Sequence, residues 1–116
     1  DSVGVSAAGF VSSDRKTMLA TPNIAGWNGV DLDYELTSLI GLPVVIENDA
    51  NAAGWAEYRF GAGRGSKHMM MLTVGTGVGG AIVANGELFR GGFGIGAELG
   101  HFRFIPDGKP SELVIE

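Results

Sequence analysis

One stretch constrains this chain most: Leu42-Pro43-Val44-Val45-Ile46, which breaks into Glu47-Asn48-Asp49 and runs on as Ala50-Asn51-Ala52-Ala53. The β-branched run after a proline predicts a buried strand, and the alanine-rich segment after the polar pair predicts a helix. In open α/β sheets, ligands sit in the crevice beyond the carboxyl ends of the strands. Asp49 is therefore expected to hang into a cleft with its backbone fixed on both sides. A carboxylate there can take a proton from a substrate hydroxyl. It can equally cap the helix, a place where Asp and Asn are favoured. The two readings are compatible, since a capping position can hold a base still.

A chain of 116 residues makes one domain or pieces of two. An apolar content of 45% is enough for a core, and no run approaches the length of a membrane span. No basic-then-apolar leader opens the sequence, so a cytoplasmic setting is expected, with no membrane partner. The net charge of −5, without any Lys/Arg cluster, argues against nucleic acid as a partner. Cysteine is absent, which excludes disulfides and thiolate metal ligands within this stretch. Glycine is the outlier: 13 of the 20 lie between Gly61 and Gly100, where they must serve turns or close backbone approach.

In chain order, Ser2 to Ala8 reads as a strand continued by Gly9-Phe10-Val11, and Ser12 to Lys16 as an exposed turn. Met18-Leu19-Ala20 suits a short returning strand, and Thr21 to Gly29 a loop. From Asp31 the pattern turns helical. Leu32, Leu36, Leu39 and Ile40 share a face, acidic residues fill the first turns, and Gly41 stops the helix. The Ala50 helix is expected to run to about Phe60, with Gly61 to Ser66 as a flexible link. His68 to Val74 is apolar without alternation, as for a strand buried on both faces, its methionines serving as core filler. Asn85-Gly86 is a strong hairpin signal between Gly80–Ala84 and Glu87–Arg90. The change of style predicts two lobes, residues 1–66 and 67–116.

Two phosphate motifs can be tested against this order. Gly75-Thr76-Gly77-Val78-Gly79-Gly80 satisfies G-x-G-x-x-G, but a dinucleotide site needs a helix immediately after it, and here a β-branched run and a hairpin follow. Gly61 to Lys67 lacks the P-loop spacing and lies after a helix rather than before one. What remains is a glycine-rich turn between strands. Its amides can form a concave anion site to which Thr76 adds a hydroxyl, or it can be an ordinary glycine hairpin. Glu98 and His101, spaced by three on a Gly-flanked segment, suit polyhydroxyl binding. His101 could also be a metal ligand or a satisfied core histidine.

Together these pieces resemble the ROK family of sugar kinases and repressors, and its bacterial glucokinases above all. The matching motifs are Glu47-Asn48-Asp49-Ala50-Asn51-Ala52-Ala53, Phe60-Gly61-Ala62-Gly63-Arg64-Gly65, Thr73-Val74-Gly75-Thr76-Gly77-Val78-Gly79-Gly80 and Gly96-Ala97-Glu98-Leu99-Gly100-His101. The resemblance implies an α/β, actin-like (ribonuclease H-like) ATPase fold of the two-lobed hexokinase type, of which this stretch is an incomplete part. It implies phosphorylation of a hexose by ATP with Mg2+, and glucose as the first candidate. Asp49 would be the base on the 6-hydroxyl, with Gly9, Asn48, Glu98 and His101 around the sugar. Gly75, Thr76, Gly77 and Gly79 would hold ATP phosphates. A homodimer and a zinc ion at His101 are further family traits. The family's Asp-x-Gly-Gly-Thr phosphate loop and its cysteine zinc motif are not in this sequence, and Lys109 to Glu116 stands where the cysteines would be. The segment alone is therefore expected to have little activity. A sugar-sensing repressor, or a sugar-binding remnant without catalysis, is the competing expectation.

Overall fold

The computed structural model describes residues 1–21, 24–98 and 100. It begins with strand β1 (Val3–Ala7), the short β2 (Phe10–Val11), β3 (Thr17–Ala20) and β4 (Val30–Asp31). Helix α1 (Leu32–Ile40), strand β5 (Val44–Asn48) and helix α2 (Asp49–Phe60) follow, and then the hairpin strands β6 (Met69–Val74), β7 (Val78–Ala84) and β8 (Glu87–Leu88). β4 falls where a loop and a helix start were expected. It pairs with β3 only through Thr17–Asp31 and Met18–Val30, too short a match for a period to show in the sequence.

β1 and β5 run parallel in register, from Val3 opposite Val44 to Ala7 opposite Asn48. Their carboxyl ends therefore lie side by side, which sets the place of the cleft. β2, β3 and β4 form a second, antiparallel sheet. Ala7, Val11, Met18, Leu32, Val44 and Ile46 make the core between these elements, and Met18 and Ile46 are fully buried. α1 begins as expected: Asp31 caps it by accepting from the Tyr34 amide, and Gly41 closes it in a left-handed conformation. Only part of its apolar face is covered. Leu32 is buried and Leu36 packs on the core, whereas Leu39 and Ile40 stand exposed beyond it.

The hairpin sheet β6–β7–β8 is antiparallel, with Thr73 opposite Gly79 and Val74 opposite Val78. Asn85 and Gly86 both have positive φ, the turn that their sequence predicts. β6 corrects an expectation, because it is not buried on both faces. Among the described residues, Met70, Leu72 and Val74 are exposed while the alternate residues face inward, with α2 covering one side of the sheet. The contact is very close. A Cβ built on Gly54 of α2 would lie 2.2 Å from the Ala81 Cβ of β7. The link after α2 is also not slack. Gly61, Gly63, Arg64 and Ser66 donate backbone hydrogen bonds to Glu57, Glu57, Gly61 and Gly63 in turn.

In the β2–β3 turn the Ser12 hydroxyl donates to the Asp14 carboxylate, which also receives the Lys16 amide and faces its charge. The serine bond foremost holds the exposed Asp14 carboxyl below the usual Asp range. A depressed folded pKa means that this turn is tightest at neutral pH and loosens as pH falls through the folded value. Ser12→Ala is expected to raise the Asp14 titration, followed by carbon-detected NMR, back toward the ordinary Asp range.

Candidate active site

Where β5 gives way to α2, Asn48 and Asp49 divide the two roles left open by the sequence. Asn48 is the N-cap: its Oδ1 accepts from the Asn51 amide at 3.1 Å, satisfying an orphan donor of the first turn. Its Nδ2 donates to the Gly9 carbonyl at 3.0 Å, tying the end of β5 to the chain just past β1. One Nδ2 hydrogen and one Oδ1 lone pair are left over for a ligand. Asp49 is the first helical residue and is exposed. Its Oδ1 accepts from the Ala50 amide at 2.9 Å, which orients the carboxylate.

Gly9 is required by its surroundings. Its φ is +145°, and a Cβ there would lie 2.5 Å from the Ala20 carbonyl oxygen. Only glycine lets the chain cross β3 so closely and bring its carbonyl to Asn48.

Across from Asp49 is the bend between β6 and β7. The Gly75 amide donates to the Gly77 carbonyl at 2.9 Å, closing a narrow turn with Thr76 at its tip. Two of its glycines differ in what they do. A Cβ at Gly79 would press on the Thr73 hydroxyl and the Ala50 Cβ at 2.8 and 3.0 Å, so Gly79 lets the bend sit against the start of α2. A Cβ at Gly75 would meet nothing within 4 Å, and its φ needs no glycine. Neither packing nor backbone explains Gly75, and the absent side chain leaves open space in the cleft.

A cleft of about 710 Å3 joins these parts. Gly9, Asn48 and Asp49 line it from the β1–β5 side, Gly75, Thr76, Gly77 and Gly79 from the hairpin side, and Glu98 from the loop that follows β8. All the sequence-derived site residues within the described region meet there. His101, expected at the sugar and at zinc, lies outside the described residues. Among the described residues no group of three or more His, Cys, Asp or Glu could hold a metal ion. A Mg2+ ion of the kind the resemblance implies would take its ligands mainly from phosphate oxygens, water and one or two carboxylates. Asp49 and Glu98 are the carboxylates lining this cleft.

Sequence reasoning passed over Glu47, Arg90 and Arg15. Glu47, just before the cap, has a mostly buried side chain, and Arg90 Nε and Arg15 Nε stand 3.0 and 3.3 Å from its Oε2. Oε2 is held by this charge rather than by an aligned hydrogen bond. Oε1 accepts from the Asn48 amide at 2.9 Å and from Arg90 Nε at 3.3 Å. A charged residue closing an apolar strand signals that some cation must meet it. Which cation, 43 residues away, is a matter of topology.

A model described as the ROK family matches residues 1–112. A glucokinase of Streptomyces coelicolor is 49% identical over 106 residues, which is 91% of this chain and 33% of that protein. A crystal structure of a ROK family glucokinase from Streptomyces griseus, in complex with glucose and AMPPNP, superposes with a TM-score of 0.85. That match has 51% identity and covers 93% of this chain and 34% of the other. The xylose repressor of Bacillus subtilis is 33% identical over 99 residues, 85% of this chain and 25% of the repressor. The chain thus spans about a third of the length of the glucokinases that it matches. Among the described residues, no helix is long and apolar enough to cross a membrane. The paired parallel strands, the covering helix and the glycine hairpin are part of the actin-like ATPase fold of these sugar kinases. Matched by the family's model over nearly its whole length, the chain belongs to the ROK family.

Proposed function

We propose that the protein transfers the terminal phosphoryl group of ATP to a hexose hydroxyl, glucose and its 6-hydroxyl being the first choice. The observation that carries this reading is the single cleft in which Asp49 faces a glycine bend built around unexplained space at Gly75. Phosphoryl transfer asks for an oriented hydroxyl, a base for its proton and donors that spread the phosphate charge. Asp49 Oδ1 is held by the Ala50 amide, and Oδ2 takes the hydroxyl proton as the sugar oxygen bonds to the γ-phosphorus. The bond to the β–γ bridging oxygen breaks, and ADP leaves. The Gly75 amide is engaged within the turn. Gly75 therefore serves by its missing side chain, while the Thr76 hydroxyl and the other amides of the bend bind the phosphates. Mg2+ bound to ATP supplies charge neutralisation. The spare donor and acceptor of Asn48, the Gly9 backbone, Glu98 and His101 meet the remaining sugar hydroxyls.

The lobe division at residues 61–67, a cytoplasmic setting and a homodimer belong to the same proposal. The relatives support a kinase of this type, with a sugar-sensing repressor as the second reading, favoured by the likeness to the xylose repressor. Coupled-enzyme assay of the intact protein with glucose and Mg-ATP separates them. Glucose 6-phosphate formed at a catalytic rate supports the kinase; glucose binding without turnover would transfer the reading to the sensor.

Gly75→Ala probes the phosphate side. Nothing in the fold opposes the methyl, so thermal stability should change by less than about 0.5 kcal/mol. The KM for ATP should rise about tenfold or more while the glucose KM holds. An unchanged ATP KM would remove the bend from the phosphate site.

A further inference from the structure

The guanidinium of Arg90 makes contacts in three directions. Nε meets Glu47, Nη1 donates to the Ser13 carbonyl at 2.8 Å, and Nη2 donates to the Ser12 carbonyl at 3.1 Å. Its side chain is only 9% exposed. This planar fork cannot be reproduced by a lysine, which offers a single ammonium point. Through Glu47 the contact reaches the Asn48 amide, one residue from Asp49.

Arg90 also opens the loop that delivers Glu98. Its own carbonyl accepts from the Gly96 amide at 2.7 Å, which folds residues 90–96 into a closed ring. Within that ring Gly94 lies against the same β2–β3 turn that the guanidinium grips. A Cβ there would come within 2.7 Å of the Val11 carbonyl oxygen and 2.8 Å of the Ser13 amide. One side chain therefore joins the strand end that precedes Asp49, the β2–β3 turn and the loop bearing Glu98.

Resting on the kinase reading above, we propose that Arg90 is a positioning residue for the transfer. By holding Glu47 and the 12–13 carbonyls in one fork, it keeps Asp49 and Glu98 in register on opposite sides of the bound sugar. It touches neither substrate nor reacting atoms. A displacement of about 1 Å at such a distance from the chemistry can cost 10²-fold in rate.

The test uses the intact protein with Arg90→Lys and, as a control, Arg15→Gln. Arg15 meets Glu47 through Nε alone from a side chain 43% exposed, so its loss removes charge near Glu47 without removing the fork. For Arg90→Lys we expect the hexose KM to rise about tenfold and kcat to fall about 10- to 100-fold, with the ATP KM within twofold. Arg15→Gln should change every constant by less than Arg90→Lys does. Hydrogen exchange should quicken in Arg90→Lys at residues 48–51 and 91–98 and stay unchanged in β6 and β7. Unchanged hexose KM and kcat would overturn the proposal. So would activity lost only in proportion to folded protein, or exchange raised everywhere alike. The kinase reading fails separately, by an inactive wild type. If that wild type still binds glucose in calorimetry, a weaker affinity in Arg90→Lys alone upholds the sugar-site register and an unchanged one refutes it. A wild type that neither turns over nor binds glucose sinks both.

Discussion

Asp49→Asn in the intact protein is expected to lower kcat for glucose phosphorylation by about 10²- to 10⁴-fold, the usual worth of a positioned general base. Glucose affinity should change little, because the amide is isosteric and its Oδ1 can still accept from the Ala50 amide. The helix should not melt either, since Asn48 rather than Asp49 caps α2. That division makes the experiment clean: removing the charge does not remove the cap. Calorimetry with glucose and a coupled assay together decide it. A variant that binds glucose normally yet turns over at the wild-type rate would strip Asp49 of its role.

The second large effect concerns stability. Gly54→Val should destabilise the protein by about 3 kcal/mol, the upper part of the range for overpacking a filled site. The first added carbon alone would stand 2.2 Å from the Ala81 Cβ, and Met71 closes the space nearby. Replacing a helical glycine by alanine ordinarily gains about 1 kcal/mol, a gain too small to offset such a clash. Because α2 begins at Asp49, pushing it off β7 should also displace the carboxylate from the bend. Ala81→Gly in the same protein should restore part of the loss by removing the facing methyl. Thermal midpoints of the single and double variants measure the coupling directly. Additive effects would mean that helix and sheet do not meet at this pair.

How much of this was legible beforehand follows from how local each signal is. Val44-Val45-Ile46 and the alanines after Asn48 state strand and helix through neighbouring residues alone, and the structure has both, the strand running on to Asn48 and the helix starting at Asp49. Asn85-Gly86 specifies its hairpin in the same way. The burial of β6 was misread because a continuous apolar run reports hydrophobicity but not what covers each face. Met70, Leu72 and Val74 are exposed. β4 was missed because two residues carry no period.

The site divides along the same line. By itself the sequence determined which groups were available: an acid after a strand and a glycine bend with a threonine, each set by local chain geometry. Only the tertiary structure decided that Asn48 would cap and bind Gly9 while Asp49 stayed open to the cleft. It also decided that Gly79 would brace the bend against Ala50 and that Arg90 would reach back to Glu47. The physical reason is range. Propensity, capping and turn chemistry act over a few residues, whereas the partners of a buried charge or a close-packed glycine are chosen by how distant elements pack.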